Sequence, residues 1–453
     1  MPFPLLTSVL AVSPLILVFV TLAALLLIRY YHLHRVKANH VAPAILVVSQ
    51  SPANHSPRVA AHVKALLHYF PEYAIVLLAE PPNPISDERL AFYSLPQYPP
   101  LAKRNVFTLF KKALSLFFGQ ASCLSTISCL PLGVRHIILA TPPALPLLPL
   151  LIILRPFIFP RSRITVDVHN LAYTLSAQHN PNPYFLSVVR QLELRFLRCA
   201  HTLWTVSRAL SDFLLHIGKG AIVLRDLPSE SFTKLRSDPL SADERQKLIA
   251  RVQDLATEFG VTTLKSNVPV LVSSTSWTPD EDLSMLLTAI RQLDQEGLRL
   301  RVVITGKGPL RAAFERELEH ANLQNVQVWL GWLPFSEYAA LLSIATLGVS
   351  LHASSSALDL PMKAVDMLGA GLPVLGLRYA CIDELVKDKT NGLLFDTSEE
   401  LSDCIRRVLK DEQQLQRLRK GAAESFEEEW LSCWEKTVLP ILRRQNNRQD
   451  DTG

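Results

Sequence analysis

Short apolar runs recur along most of the chain and alternate with segments of helical periodicity. In the first half, mostly apolar runs lie at 44–49, 74–79, 136–141, 163–168 and 201–206. Such runs are typical of strands that are buried on both faces of a parallel sheet. Segments 58–70 and 184–199 have helical spacing between them. The pattern predicts a βαβ domain over residues 38–235.

The same rhythm restarts in the second half. Further apolar runs lie at 268–274, 300–305, 326–330, 347–351 and 373–377. Helical spacing separates them near 281–296, 309–321, 335–345, 361–369 and 399–419. Alternation of strands and helices indicates a second doubly wound domain, which we assign to residues 267–422.

Three segments fall outside these two predicted domains. The charge-rich, weakly patterned stretch 236–266 is predicted to be a linker with a surface helix. Segment 423–444 has helical spacing with Trp430 and Trp434 on one face, and we expect this helix to return to the first domain. The polar residues 445–453 are predicted to be a disordered tail.

The amino end, residues 1–37, is predicted to be a membrane anchor with a basic flank. The uncharged run Leu5–Ile28 is long enough to cross a bilayer, which takes about 20 apolar residues. A cleaved signal peptide is the alternative, but its apolar core is usually shorter and follows a basic residue. Here the charges follow the run, as Arg29, Arg35 and Lys37, which places the remaining chain in the cytosol by the positive-inside rule.

A second very apolar stretch, residues 142–160, contains several prolines and Arg155. These features make it a poor spanning helix. Two interpretations stay open: a helix of the first domain, or a segment that dips into the membrane interface.

Composition excludes several functional classes. With 453 residues, the chain exceeds the usual size of one core, which agrees with two domains. The net charge of +5 is spread thinly without a basic stripe, so nucleic-acid binding has little support. The 6 cysteines have neither C-x-x-C spacing nor histidine companions, which argues against a zinc site and a disulfide framework.

Polar loops follow several predicted strands, after residues 168, 274, 305 and 351. Open parallel sheets bind ligands at the carboxyl ends of their strands. The loop after 305 reads GKGPL, in which Gly306 and Gly308 let the backbone approach an anion and Lys307 can reach a phosphate. A glycine turn with a solvated lysine is the alternative. The chain lacks both the dinucleotide fingerprint and the P-loop, which argues against nicotinamide chemistry and P-loop ATP hydrolysis.

The loop after 274 carries hydroxyl groups that can bind phosphate or sugar, namely Ser274, Thr275 and Ser276. Thr278 and Glu281 have the spacing of a capping box at the start of the next helix. Trp277 is either a core residue or a stacking surface.

The loop after 351 combines a serine run with a charged helix. The serines are Ser354, Ser355 and Ser356. Lys363 and Asp366 lie three residues apart on one helix face, where lysine can neutralise a diphosphate and the carboxylate can bind ribose hydroxyls. In the alternative interpretation, Asp359 caps the helix and Lys363 forms a surface pair with Asp366.

Four stretches together resemble the chitobiosyldiphosphodolichol beta-mannosyltransferase family. They are VDVHNLAYTLS, VSSTSWTPDEDLSMLLTAI, ITGKGPL and LHASSSALDLPMKAVDMLGAGLPV. The resemblance implies a GT-B fold with two facing Rossmann-like domains after an N-terminal transmembrane helix. It also implies transfer of mannose from GDP-mannose to GlcNAc2-diphosphodolichol on the cytosolic face of the endoplasmic reticulum. A complex with other glycosyltransferases of the same lipid-linked oligosaccharide pathway is a further implied partner.

The resemblance assigns site residues in both domains, with departures in the first. The family's loop G-D-x-G-R-S-P-R is SQSPANHSPRV here, which retains Ser56 and Arg58 but loses both glycines. Its D-W-H-N motif has valine in place of tryptophan and keeps Asp167, His169 and Asn170. We expect the acceptor to be bound by residues of both domains: Ser56, Arg58, Asn170 and Asp359.

The expected donor contacts lie in the second domain. They are Ser274, Thr275, Gly306, Lys307, Gly308, Ser354, Ser355, Ser356, Lys363 and Asp366. The resemblance places Asp366 at the second glutamate of a donor-binding motif of the wider GT-B group.

GDP-mannose is α-linked, whereas the product of the family is β-linked. The resemblance therefore implies one in-line displacement that inverts the anomeric carbon. Asp167 and His169 are candidates for the base or for acceptor positioning, and a purely structural hydrogen-bonded pair is the alternative. Lys307, Lys363 and helix amino ends would carry the charge of the leaving diphosphate, so no metal is obligatory, and Mg²⁺ dependence is left open. Rival functions are a membrane-bound GT-B enzyme with a UDP-sugar donor and a non-catalytic scaffold for neighbouring glycosyltransferases.

Overall fold

The computed structural model describes residues 42–52, 56–83, 85–97, 106–179, 182–261 and 268–450. Contacts divide the chain into two units. Unit 1 comprises the described residues up to Thr205, together with Ser211–Leu224 and the segment from Leu431 onward. Unit 2 comprises Val206–Leu210 and Arg225–Trp430.

Unit 1 is built on a seven-stranded sheet whose described strands are all parallel. Its strands are β1 (Ala42–Pro52), β2 (Ala74–Glu80), β3 (Leu90–Ser94), β4 (Leu132–Thr141), β5 (Arg163–Val168), β6 (Thr202–Thr205) and β7 (Ile222–Val223). The strand order is β3-β2-β1-β4-β5-β6-β7, and the direction of winding reverses between β1 and β4. This arrangement is the doubly wound Rossmann topology.

Helices of unit 1 connect these strands and cover the sheet. They are α1 (Pro57–Tyr69), α2 (Val106–Ser128), α3 (Leu147–Ile158), α4 (Ala172–His179), α5 (Pro183–Cys199), α6 (Arg208–His216), α15 (Trp430–Thr437) and α16 (Leu439–Asp450). The first three residues of α6 and the first residue of α15 belong to unit 2. Local sequence explains where α5 begins, because Asn182 accepts hydrogen bonds from the amides of Tyr184 and Phe185, and Pro183 occupies the first turn.

Unit 2 repeats the same plan with one exception. Its strands are β8 (Thr257–Gly260), β9 (Val270–Ser274), β10 (Leu300–Thr305), β11 (Val326–Gly331), β12 (Leu347–Ser350), β13 (Val374–Leu377) and β14 (Gly392–Phe395). The order is β14-β13-β12-β9-β10-β11-β8, and only the edge strand β8 pairs antiparallel among these strands. The winding reverses between β9 and β12.

Helices of unit 2 pack on both sides of this sheet. They are α7 (Glu230–Ser237), α8 (Ala242–Leu255), α9 (Leu283–Gln295), α10 (Arg311–Glu319), α11 (Phe335–Ile344), α12 (Met362–Gly369), α13 (Ser398–Lys410) and α14 (Glu412–Ala423). Two clusters of buried apolar side chains form its core. The prediction of two doubly wound domains is confirmed.

Three boundaries differ from the prediction. The segment 236–266, predicted as a linker with a surface helix, contains that helix as α8, but it also contains β8, which adds to the sheet of unit 2 because its backbone pairs with β11. The predicted helix 399–419 is two helices, since Asp411 ends α13 and caps α14. Helix α16 continues to Asp450 through most of the segment predicted to be disordered.

The predicted anchor at Leu5–Ile28 lies outside the described residues. Within the described ranges, we find no helix with both the length and the apolar character that a bilayer crossing requires. The apolar stretch 142–160 contains α3, which buries Leu147, Leu151 and Ile158 in unit 1. Ile153 of the same helix is 56% exposed. The stretch is therefore a helix of the first domain with an apolar residue on its outer surface.

Candidate functional site

The carboxyl ends of β9 and β12 are neighbours at the point where the sheet of unit 2 reverses its winding. The loop 275–282 follows β9, and the loop 351–361 follows β12. A β-bridge between Glu281 and His352 joins the two loops. Ligands of open α/β sheets bind at such a switch point.

Glu281 is the centre of a charged cluster at this edge. Its carboxylate is buried and accepts hydrogen bonds on one oxygen from Thr275 Oγ1 at 2.7 Å and from the Ser276 amide at 2.8 Å. Its other oxygen pairs with Lys363 Nζ at 2.5 Å. Lys363 Nζ also lies 3.4 Å from Ser276 Oγ, and its side chain is 28% exposed. The lysine is therefore anchored on one side and open to an anionic ligand on the other.

The capping box predicted at Thr278 and Glu281 is wrong. Helix α9 begins at Leu283, and its cap is Asp282, whose side chain accepts from the Ser284 amide at 3.0 Å. Glu281 is unavailable as a cap because its carboxylate is turned toward Thr275 and Lys363.

The alternative interpretation of the serine loop and its helix is also not found, in either of its two parts. Lys363 pairs with Glu281 instead of Asp366. The residue before α12 is Pro361, and Asp359 makes its contacts within the serine loop instead of capping the helix. Trp277 is a core residue, since it is 1% exposed and its ring centroid lies 5.4 Å from that of Phe314.

Both glycines of the GKG loop are required by a close approach between two backbones. A Cβ on Gly306 would lie 1.7 Å from the carbonyl oxygen of Thr275, and a Cβ on Gly308 would lie 1.9 Å from that of Ser276. The loop after β10 therefore packs directly on the loop after β9. Glycine at these positions holds the candidate hydroxyl groups in place.

Lys307, between these glycines, is held at the surface by an aromatic ring. Its Nζ lies 3.8 Å from the ring centroid of Trp332, which is 48% exposed. A cation over the face of an indole is stabilised by the ring quadrupole. The side chain therefore has a defined position instead of a freely solvated one.

The three predicted donor hydroxyls of the serine loop follow β12: Ser354, Ser355 and Ser356. The hydroxyl groups of Ser354 and Ser356 both donate to Asp359 Oδ1. The other oxygen of Asp359 lies 3.5 Å from His352 Nε2, and Asp280 lies 3.5 Å from His352 Nδ1. Asp359, predicted as an acceptor contact, thus organises the serine loop of unit 2.

Asp366 lies on α12 in a partly buried position. Burial raises the pKa of this carboxyl to about 8, and the charge of Asp226 adds to the effect. Tyr338, whose hydroxyl lies 2.8 Å from Ser274 Oγ, has its pKa raised by burial and then by the charge of Asp366. Near neutral pH, Asp366 is therefore largely protonated and can donate a hydrogen bond.

In unit 1, Asp167 is the buried centre of a second polar cluster. Arg58 binds it with two hydrogen bonds, Nε to Oδ2 at 2.8 Å and Nη2 to Oδ1 at 2.9 Å. Oδ2 also lies 3.0 Å from His62 Nε2 and 2.9 Å from His169 Nε2. Burial alone would raise the pKa of Asp167, but Arg58, His169 and His62 outweigh it and hold the pKa well below its usual value.

His169 is the one member of this cluster with substantial exposure, since 27% of its side chain is accessible. Its amide donates to the Thr141 carbonyl at 2.9 Å, which ties the residue to the end of β4. A carboxylate accepts only, so Nε2 carries the proton in the Asp167 contact. In the neutral ring, Nδ1 is then the basic nitrogen. This arrangement is that of an Asp-oriented general base.

Of the other predicted acceptor contacts of unit 1, Arg58 and Asn170 have structural partners. Arg58 is buried, and besides Asp167 it donates to the carbonyl of Leu224 at 2.8 Å. Ser56 precedes α1 and makes no side-chain capping bond. The side chain of Asn170 is buried and accepts from the amide of Leu171 at 2.7 Å.

Sequence reasoning missed several members of both clusters. They are Glu281, Tyr338 and Asp226 in unit 2, and His62 in unit 1. Glu281 was assigned to a cap because it has the correct spacing from Thr278. The sequence gives only a weak indication of His62, which lies four residues after Arg58 and therefore on the same face of α1.

Within the described part of the chain, no three His, Cys, Asp or Glu side chains are grouped as metal ligands.

Comparison with known proteins identifies relatives of this chain. The family model for glycosyl transferases group 1 matches residues 256–425, which lie in unit 2. A chitobiosyldiphosphodolichol beta-mannosyltransferase from Kluyveromyces lactis is 31% identical over 88% of this chain and 89% of its own length. The human protein of the same name is 35% identical over 62% of this chain and 67% of its own length.

Solved structures show the fold at low sequence identity. A trehalose-6-phosphate synthase from Burkholderia multivorans has a TM-score of 0.66 at 12% identity, covering 90% of this chain and 99% of that chain. A sucrose-phosphate synthase from Thermosynechococcus elongatus has a TM-score of 0.62 at 15% identity, with 90% and 99% coverage. Together with the two Rossmann-like units, these likenesses show a GT-B fold. On the identity shared with its relatives along most of its length, the chain belongs to the chitobiosyldiphosphodolichol beta-mannosyltransferase family of glycosyltransferases.

Proposed function

We propose that the protein transfers mannose from GDP-mannose to GlcNAc2-diphosphodolichol and forms a β-1,4 linkage with inversion. The observation that carries the proposal is the position of Lys363. Its partly exposed ammonium group lies at the switch point of the unit 2 sheet, where nucleotide-binding α/β folds hold their ligands. Relatives that are 31% and 35% identical to the chain are named chitobiosyldiphosphodolichol beta-mannosyltransferase.

In the proposed donor complex, the diphosphate is bound by charge and by hydroxyl groups. Lys363 Nζ contacts the diphosphate and stabilises the leaving group as negative charge develops on it. The Ser276 hydroxyl, 3.4 Å from that ammonium group, supplies a hydrogen-bond donor. Asp366 binds the ribose hydroxyls, and its raised pKa makes it a hydrogen-bond donor as well as an acceptor.

The acceptor hydroxyl is activated in unit 1. His169 Nδ1 takes the proton of the acceptor 4-hydroxyl as that oxygen attacks the anomeric carbon and the bond to GDP breaks. Asp167 holds the ring in the required tautomer and stabilises the imidazolium that forms. Because Asp167 is buried with a lowered pKa, its role is to orient His169 while His169 takes the proton.

An in vitro transfer assay tests this function. The full chain is purified in detergent and incubated with radiolabelled GDP-mannose and a GlcNAc2-diphosphate-lipid. We expect a labelled lipid product that β-mannosidase cleaves and α-mannosidase does not. His169→Gln should reduce kcat by about 10²-fold or more, because general base catalysis contributes about that factor. Use of a UDP-sugar instead, or full activity of the His169→Gln variant, would contradict the proposed reaction or the proposed base.

We further propose that the protein works at the endoplasmic reticulum membrane with both units in the cytosol. The acceptor is a lipid, and helices α2, α3 and α5 carry exposed apolar side chains, which are Phe117, Phe118, Ile153, Tyr184, Phe185, Val188 and Leu192. Tyr184, Val188 and Leu192 recur every fourth residue along one face of α5. Such a stripe favours contact with the membrane interface.

Liposome association tests the membrane contact. A Tyr184→Ser/Val188→Ser/Leu192→Ser variant should bind anionic vesicles several-fold more weakly than the wild-type chain does. Leu215→Ser is the matched control, because Leu215 is 62% exposed on α6 of the same unit. Equal binding by both variants would contradict the proposal.

A further inference from the structure

Helix α15, which precedes α16, reaches the Asp167 cluster through Trp434. Trp434 is fully buried, and its indole Nε1–H donates to His62 Nδ1 at 3.1 Å. An indole nitrogen is only a donor, so His62 Nδ1 must be unprotonated. The proton of the neutral ring is then on Nε2, which lies 3.0 Å from Asp167 Oδ2. One tautomer of His62 satisfies both contacts.

His62 is held neutral in this position. Burial lowers its pKa, which outweighs the opposite effect of Asp167, and the charges of Arg58 and His169 lower it further. A stacked ring, Trp204, covers one face of the imidazole with ring centroids 5.3 Å apart. Trp434 itself stacks on Tyr69 at 5.6 Å, so the donor is fixed as well.

His62 and His169 are linked because both bond to the same oxygen of Asp167. Asp167 Oδ2 accepts from both His62 Nε2 and His169 Nε2, at 3.0 and 2.9 Å. The direction of the His62 donor therefore helps to fix the rotation of the carboxylate. That rotation in turn sets where the ring of His169 is held.

We propose that Trp434 is a positioning residue, which acts through His62 and Asp167 to hold His169 in the orientation for catalysis. The catalytic part of this inference rests on the proposed function of His169. The link from Trp434 through His62 and Asp167 to His169 does not depend on any substrate. Segment 431–450 would then be required for activity, in addition to its contribution to the packing of unit 1.

Replacing Trp434 with phenylalanine removes the N–H donor and keeps an aromatic ring. The matched control is Trp204→Phe, because Trp204 is equally buried, also contacts His62, and has an indole nitrogen without a hydrogen-bond partner among the described residues. A second variant places β-(3-benzothienyl)alanine at position 434, which replaces the N–H with sulfur at nearly constant shape. Full-length protein labelled with ¹⁵N-histidine is used for two-bond NMR spectra of the imidazoles, alongside transfer kinetics.

Asp167 accepts from His62 Nε2 in every variant, so we expect His62 to remain the Nε2–H tautomer throughout. In both variants at position 434, the unprotonated Nδ1 of His62 loses its donor, so its ¹⁵N resonance should move away from the position seen in the wild-type chain and in Trp204→Phe. Because Asp167 carries the effect onward, the ¹⁵N resonances of His169 should also move in the variants at position 434, and kcat should fall by about tenfold at unchanged donor KM. Unchanged His169 resonances in the variants at position 434, or equal losses of kcat in Trp434→Phe and Trp204→Phe, would overturn the inference. Failure of the proposed function is seen separately, as no mannose transfer by the wild-type chain. The His169 resonances then decide alone, since a change in the variants at position 434 supports the link and no change overturns it.

Discussion

Lys363 and Glu281 form the charged pair on which the account of unit 2 depends. Glu281 is buried and has three donors, whereas Lys363 is partly exposed and has room for a further anion. Binding of a diphosphate therefore need not leave Glu281 unsatisfied, because Thr275 and the Ser276 amide still donate to it. The pair holds the ammonium group in place before the donor arrives.

Charge removal separates the structural role of this pair from its role in donor binding. Lys363→Gln should weaken GDP binding by about 10- to 100-fold, the effect of one hydrogen bond to a charged group. It should also lower the free energy of unfolding by about 1–3 kcal/mol, because the Glu281 charge loses its partner. Isothermal titration calorimetry and denaturant unfolding measure the two effects.

The double variant Glu281→Gln/Lys363→Gln is the control for this prediction. It removes both charges, so it should recover much of the lost stability while GDP binding stays weak. Lys247→Ala, an exposed lysine paired with Asp243, should change neither quantity. Recovery of GDP binding in the double variant would mean that Lys363 supports the fold and does not contact the nucleotide.

Asp366 makes the stability of the protein depend on pH. Its folded-state pKa of about 8 lies above the ordinary value of 3.8, so the folded chain retains a proton that the unfolded chain loses. The contribution of this group to stability is fully present below pH 3.8 and is lost as the pH rises to about 8. Asp366→Asn should therefore stabilise the protein relative to the wild type by on the order of 3 kcal/mol at pH 9. A gain that is the same at pH 4 and pH 9, measured by urea unfolding, would contradict this account.

At the scale of elements, the loops after β9, β10 and β12 form one layer at the carboxyl edge of the unit 2 sheet. The layer depends on Gly306 and Gly308, which allow the GKG loop to contact the backbone of Thr275 and Ser276. The Thr275 hydroxyl group and the Ser276 amide, which both donate to Glu281, lie in that same backbone segment. The packing of the loop after β10 on the loop after β9 therefore fixes the position of the Glu281–Lys363 pair.

Gly306→Ala tests this packing. The new methyl group would meet the Thr275 carbonyl oxygen, and the backbone of Gly306 has a φ of +149°, which alanine rarely adopts. We expect a loss of more than about 1 kcal/mol in the free energy of unfolding, together with weaker GDP binding. Gly331→Ala is the control, since its nearest contact would be an ordinary 3.4 Å. Equal thermal stability of the two variants would show that the loops do not need this approach.

Sequence patterns predicted the long buried strands but not every edge strand. Strands β1, β9 and β10 are apolar runs that any sheet must bury. Strand β8 reads TEFG and is half exposed, so its pairing with β11 could not be read from hydrophobicity. The antiparallel pairing is a tertiary contact, and local sequence carries little information about it.

At the scale of the whole molecule, the fold brings together residues that are far apart in the chain. Lys363 and Ser276 are 87 positions apart, and His62 and Trp434 are 372 apart. The rule that ligands bind at the carboxyl ends of parallel strands predicted which loops of unit 2 would meet, because those ends lie at one edge of the sheet. It could not predict which carboxylate would hold Lys363, since Glu281, Asp359 and Asp366 are all compatible with the sequence. Only the geometry of the loops distinguishes them.

The most direct test of the central claim is an experimental structure of the full chain with GDP bound. The account predicts the diphosphate against Lys363 Nζ and the hydroxyl of Ser276, the ribose hydroxyls on Asp366, and Glu281 still bonded to Thr275. A diphosphate bound elsewhere in the protein, with Lys363 making no contact to it, would contradict the account.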